Sequence, residues 1–153
     1  MCLEIEFQLD GDLARLCLAE PLPPERADRL WEHTCFEVFV ATPGDESYLE
    51  WNLAPSRRWA AYTFSAYRER AGEVNDAAPA ISVERRDDGM ALRALLPLEG
   101  WLAERRPRQL ELGLSAVIET TTRELSYWAI QHHADRPDFH HRRTFDLVLQ
   151  PQC

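Results

Sequence analysis

Leu3, Ile5, Phe7 and Leu9 alternate with Glu4, Glu6 and Gln8. A period of two with one apolar side predicts a half-buried β-strand. The same pattern recurs along the chain. It predicts strands over 14–19, 35–41, 48–54, 59–65, 81–86, 90–98, 110–118, 125–130 and 145–149. Asp10-Gly11-Asp12, Pro43-Gly44-Asp45, Pro55-Ser56-Arg57 and Asp87-Asp88-Gly89 separate them and read as turns. On these signals the first two strands form a hairpin, as do 35–41 with 48–54 and 81–86 with 90–98. Residues 25–30 are polar enough for a loop or a single helical turn. Residues 68–79 read as a long loop, as does the histidine-rich, proline-broken stretch 132–143. Trp101 and Leu102 lie among helix formers over 99–106, a short helix that Pro107 ends.

About ten short strands and one short helix predict an all-β, antiparallel β-sandwich. A βαβ arrangement lacks the crossover helices it needs. The 153 residues suit one domain spanning 1–153, with no linker long enough to divide it.

The stretch from Leu30 to Tyr67 departs from a plain strand pattern. Phe36, Val38 and Val40 share one face of the first of its three strands, and Cys35, Glu37 and Phe39 the other. In the second, Leu49, Trp51 and Leu53 oppose Tyr48, Glu50 and Asn52. In the third, both faces carry aromatics. A carboxylate at position 37, amid apolar neighbours, must be solvated, paired or in contact with a ligand, since burying it alone is costly. Arg58 is a candidate ion-pair partner. With 35–41 and 48–54 as a hairpin, Glu37, Glu50 and Asn52 share one polar patch. Trp31 and His33 precede the patch, and Trp128 and His132 lie near the histidine loop. Indole faces beside carboxylate, amide and guanidinium groups suit a sugar ring and its hydroxyls. Trp51 and Trp101 read as core. The candidate ligand-binding set is therefore Trp31, His33, Glu37, Glu50, Asn52, Arg58, Trp128 and His132.

Charge narrows the partners. Twenty-six acids against seventeen bases give a net charge of −9, contrary to the basic face that a nucleic-acid binder needs. No apolar run reaches the length of a membrane span, and Glu4 and Glu6 stand where a signal peptide has its basic residues. A non-secreted, cytoplasmic chain is expected. Cys2, Cys17, Cys35 and Cys153 lack CxxC spacing and read as free thiols. No metal site is expected, because the His132-His133 and His140-His141 doublets are not chelates by themselves. The serines have no GxSxG context and no glycine-rich phosphate loop is present. Paired carboxylates at Glu37 and Glu50 leave glycoside hydrolysis open as an alternative, and an aromatic patch leaves open an interaction module.

The segments LWEHTCFEVFV, YLEWNLAPSRRWAAYTFSAYRE and YWAIQHHADRPDFHHRRTFDLVL together resemble the DOMON-like domains, which are related to the family 9 carbohydrate-binding modules. The resemblance covers roughly Trp31 to Leu149. Trp31, Glu37, Asn52 and Trp128 match the family's sugar-site pattern, and Asp138, Phe139, His140 and Phe145 match its late signature. The resemblance implies a β-sandwich that binds a saccharide or similar polar small molecule without catalysis. Its haem-binding members imply an alternative, haem b or a metal held by the histidine loop. In those members a Met and a His are axial ligands; here Met90 is the single internal methionine, without an evident histidine partner.

Overall fold

A computed structural model describes residues 1–74, 78–103, 105 and 107–150. Among them are eleven strands: β1 (Cys2–Asp10), β2 (Glu25–Arg26), β3 (Cys35–Ala41), β4 (Tyr48–Leu53), β5 (Arg58–Ala66), β6 (Glu69–Glu73), β7 (Ala80–Arg86), β8 (Gly89–Pro97), β9 (Leu110–Glu119), β10 (Leu125–Ala129) and β11 (Leu147–Leu149). A single α-helical turn, α1 (Glu99–Leu102), follows β8 and buries Trp101 and Leu102. The strands form two sheets, as a sandwich requires. The smaller has the order β1-β8-β7; the larger runs β10-β9-β3-β4-β5-β2, with β11 added to β9 and β6 to β5. No described helix is long and apolar enough to cross a membrane.

Alternation determines what lies between the sheets. Phe36, Val38 and Val40 of β3, Leu49, Trp51 and Leu53 of β4, and Met90, Leu92, Ala94 and Leu96 of β8 form the buried core. Phe7 of β1 packs on Phe36 with ring centroids 5.0 Å apart. Trp51 and Trp59 meet at 5.7 Å. This is the apolar face read from the sequence, and Trp51 and Trp101 belong to it.

Four expectations are corrected. Residues 14–19 do not return as a second strand beside β1. Asp12 accepts a hydrogen bond from the Ala14 amide at 3.0 Å and caps a 3-10 turn over Leu13–Arg15. The chain then crosses to the large sheet, where Leu16 bridges Thr120. The partner of β1 is β8, in register from Cys2↔Pro97 to Asp10↔Gly89. Residues 68–79 are not all loop, because β6 folds back on β5 after the turn at Tyr67-Arg68. Residues 25–30 hold the two-residue β2, parallel to β5, and a 3-10 turn follows over Leu30–Glu32. The predicted helix over 99–106 is confined to α1 among the described residues; Glu104 and Arg106 lie outside them.

The large sheet also buries much of its outer face. Phe39, Tyr48, Ala60, Tyr62, Phe64 and Val117 form a second apolar cluster with Phe139 and Phe145, which belong to the segment between β10 and β11. That segment is pinned from several sides. Arg142 donates to the Thr42 carbonyl at 3.2 Å and pairs with Glu111, while Arg68 pairs with Asp138 at 2.9 Å. Phe145 stacks on Phe39 at 5.4 Å directly above Gly113.

Candidate functional site

The hairpin of β3 and β4 places Glu37 opposite Asn52, and β9 places Ser115 on its other side. Glu50 lies diagonally across the same hairpin, opposite Phe39 and Tyr62. All four side chains therefore share the outer face. Between them and the covering segment lies a cavity of about 450 Å3, within the range of small-molecule sites. Glu37 and Glu50 form its floor, each only 5% exposed. Tyr62, Phe64, Tyr127, Phe139 and Trp31 supply aromatic walls, and Arg68, Arg70 and His140 contribute polar ones.

Each carboxylate has one fixed hydrogen bond. Ser115 Oγ donates to Glu37 Oε2 at 3.2 Å, and Asn52 Nδ2 donates to Glu50 Oε1 at 2.7 Å. The remaining oxygens, Glu37 Oε1 and Glu50 Oε2, accept no hydrogen bond from the described residues. The nearest basic nitrogen to Glu50 is His140 Nε2, at 3.7 Å. Burial pushes Glu37 up from the ordinary 4.5 to about 8, and the neighbouring Glu50 charge adds to the shift. Burial likewise raises Glu50 to about 7, against the opposing Asn52 hydrogen bond and the arginines. The pair thus holds a proton near neutrality, and a protonated carboxyl donates as well as accepts.

His140 stays neutral because burial, helped by the Arg68 charge, lowers it to about 4. Tyr48 Oη accepts from the Arg68 amide at 3.1 Å, so its own proton is free for His140 Nδ1, 2.8 Å away. That assigns the Nε2–H tautomer, with the N–H toward Glu50. The arginines are themselves matched. Arg68, in the left-handed region at φ 57°, is held by Asp138 and Tyr67. Arg70 lies over the Tyr62 ring at 3.6 Å and pairs with Glu73 at 3.1 Å. Trp31 meets the same ring edge-on at 6.0 Å. A left-handed non-glycine residue is uncommon and is held by its surroundings; here Asp138 anchors the Arg68 guanidinium over the cavity.

Of the eight residues predicted from the sequence, Trp31, Glu37 and Glu50 line the cavity. Asn52 lies beneath the floor, fully buried between Glu50 and the Cys35 thiol, and orients Glu50. The other four do not line it. Arg58 begins β5 at the surface and pairs with Glu25 at 3.5 Å rather than with Glu37. His33 bonds Glu119 at 2.8 Å, outside the cavity. His132 leans on Phe139 from outside, with centroids 6.1 Å apart. Trp128 is 63% exposed and is turned from the cavity, because its register partner Ala116 lies on the inter-sheet face, whereas that of Tyr127, Val117, faces the cavity. One step along the strand changes the face.

Sequence reasoning missed Tyr62, Phe64, Arg68, Arg70, Tyr127, Phe139 and His140 as site residues. Tyr62 and Phe64 left a signal, since the 59–65 strand carries aromatics on both faces. His133 and His141 stack with ring centroids 6.4 Å apart, but no group of three or more potential metal ligands gathers among the described residues.

No protein-family profile and no curated protein matches this chain. A solved structure is similar to it: a proposed carbohydrate-binding protein from Bacteroides uniformis, at a TM-score of 0.63 and 14% identity. The match covers 97% of this chain and 72% of that one. At that identity the likeness is one of fold. It shows a shared fold, and the resemblance to DOMON-like domains rests on the sequence motifs alone.

Proposed function

We propose that this protein is a non-catalytic binding domain for a saccharide or a similar polar small molecule, seated in the cavity over Glu37 and Glu50. One observation carries the reading. Two buried carboxyl groups point their unbonded oxygens into a hollow whose walls are aromatic. Hydroxyls pair with such oxygens, and the C–H face of a pyranose packs on a ring. Partial protonation suits a neutral polyol, because the pair then offers a donor and acceptors together. The similar fold of the proposed carbohydrate-binding protein agrees with this reading.

Calorimetric titration with a panel of neutral mono- and disaccharides tests it. Saturable binding at millimolar or tighter dissociation constants is expected, about −4 kcal/mol or better. Tyr127→Ala should weaken that binding about 3- to 10-fold, the worth of one aromatic contact. Trp128→Ala, one residue on and facing away, should leave it unchanged. Absence of heat for every sugar at tens of millimolar, or equal losses in both variants, would remove the proposal.

A further inference from the structure

The charges around the cavity are unevenly matched. Arg68 is neutralised by Asp138 at 2.9 Å, and Arg70 by Glu73 at 3.1 Å, with Asp28 a further 3.9 Å contact. The floor has no such balance. Neither Glu37 nor Glu50 forms an ion pair with an arginine among the described residues, and the neutral His140 faces Glu50 from 3.7 Å. The two carboxyl groups on neighbouring strands, which share a proton near neutrality, therefore stand without a paired cation, each with one oxygen turned into the hollow; Arg68 and Arg70 act on them only from beyond ion-pair distance. The rings around them present π-faces and edges, and Arg70 already shows one ring's capacity to hold a cation, at 3.6 Å over Tyr62. Carboxylates backed by an aromatic enclosure are the chemistry that recognises an ammonium group.

We infer that the ligand carries a protonated or quaternary amine that seats between Glu37 and Glu50 inside the ring of aromatics. This rests on the reading of the cavity as the ligand site and narrows the ligand from any polar sugar to a cationic one, such as an amino sugar with a free amine. Ser115 and Asn52, each donating to one carboxylate oxygen, leave the other oxygens turned toward the ammonium. The net charge of −9 favours the approach of a cation over that of an anion.

Titrating the full chain with D-glucose, D-glucosamine and tetramethylammonium separates the claims. The two sugars differ by a hydroxyl against an ammonium at one carbon. Glucosamine should bind at least tenfold tighter than glucose near neutral pH. In a Glu37→Gln/Glu50→Gln double variant the two should agree within about twofold, with folding verified by circular dichroism. Fold loss in that variant is not expected, since it removes buried charge, and the single Glu50→Gln variant offers a second reading of the same ratio. Glucose binding as tightly as glucosamine would overturn the amine assignment and leave the saccharide proposal standing. Tetramethylammonium binding in the absence of any sugar binding would uphold the amine assignment and defeat the saccharide proposal. Binding of none of the three would overturn both.

Discussion

Glu37 and Glu50 are kept where they cost the folded state something whenever they ionise. Each holds a proton to higher pH in the folded chain than in the unfolded one, so the stability they contribute is complete below the ordinary carboxyl value and disappears as pH rises through the folded values. For Glu37 the interval runs from 4.5 to about 8, and for Glu50 from 4.5 to about 7. His140 opposes them over part of this range. Its folded value, about 4 against an ordinary 6.5, makes stability rise with pH between those limits. The carboxyl effect is therefore cleanest above 6.5, where that histidine is neutral in both states. Unfolding free energy of the ligand-free protein should fall between about pH 6.5 and pH 8, by up to about 1.4 kcal/mol per pH unit for each extra proton held. Glu37→Gln should flatten that fall and raise stability at the upper end. Urea titrations at several pH values measure both. An unchanged slope in the variant would show that Glu37 ionises in the fold as it does in water.

At the scale of elements, the β3–β4 hairpin was legible because its signal is local. Alternation over 35–41 and 48–54 put Glu37, Glu50 and Asn52 on one face, and the turn between them fixed the pairing. The same logic failed at β1, because Asp10-Gly11-Asp12 looks like a hairpin turn whether or not the returning chain stays in the sheet. It failed again at Trp128, where choosing between adjacent residues requires the register with β9. Phe139 and His140 were out of reach as wall residues, because their contacts with β4 and β5 span seventy residues or more of chain and leave no periodicity. Their docking does leave one mark in the sequence, at Gly113. A Cβ there would meet the Phe145 ring at 2.7 Å and Phe39 Cβ at 3.4 Å. Alanine in a strand ordinarily gains about 0.5–1 kcal/mol over glycine. Here overpacking of about 1–3 kcal/mol should outweigh that gain. Gly113→Ala should lower the melting temperature by a few degrees, and less so when Phe145→Leu has first made room. Equal losses in the two backgrounds would mean that the covering segment does not press on β9.

The whole molecule is built as three tiers of backbone with two apolar layers between them. The inner layer, around Trp51, Met90 and Leu92, joins the two sheets; the outer one, around Phe39, Tyr48 and Phe139, joins the large sheet to the covering segment. The layers are separated by the backbone of one sheet, and they differ in what confines them. Inner residues are held by ladders on both sides. Of the outer residues, Phe139 hangs from a segment without strands, tied down by Asp138, His140, Arg142 and Thr144. The inner layer should therefore set global stability and the outer one local opening over the site. Leu92→Ala should cost about 2–5 kcal/mol and lower the hydrogen-exchange protection of every slow amide in both sheets together. Phe139→Ala should expose the amides of 138–146 and weaken ligand binding while leaving β1, β7 and β8 protected. Loss of protection in the small sheet on truncating Phe139 would show that the two layers form one cooperative unit, and that opening the cavity means unfolding the sandwich.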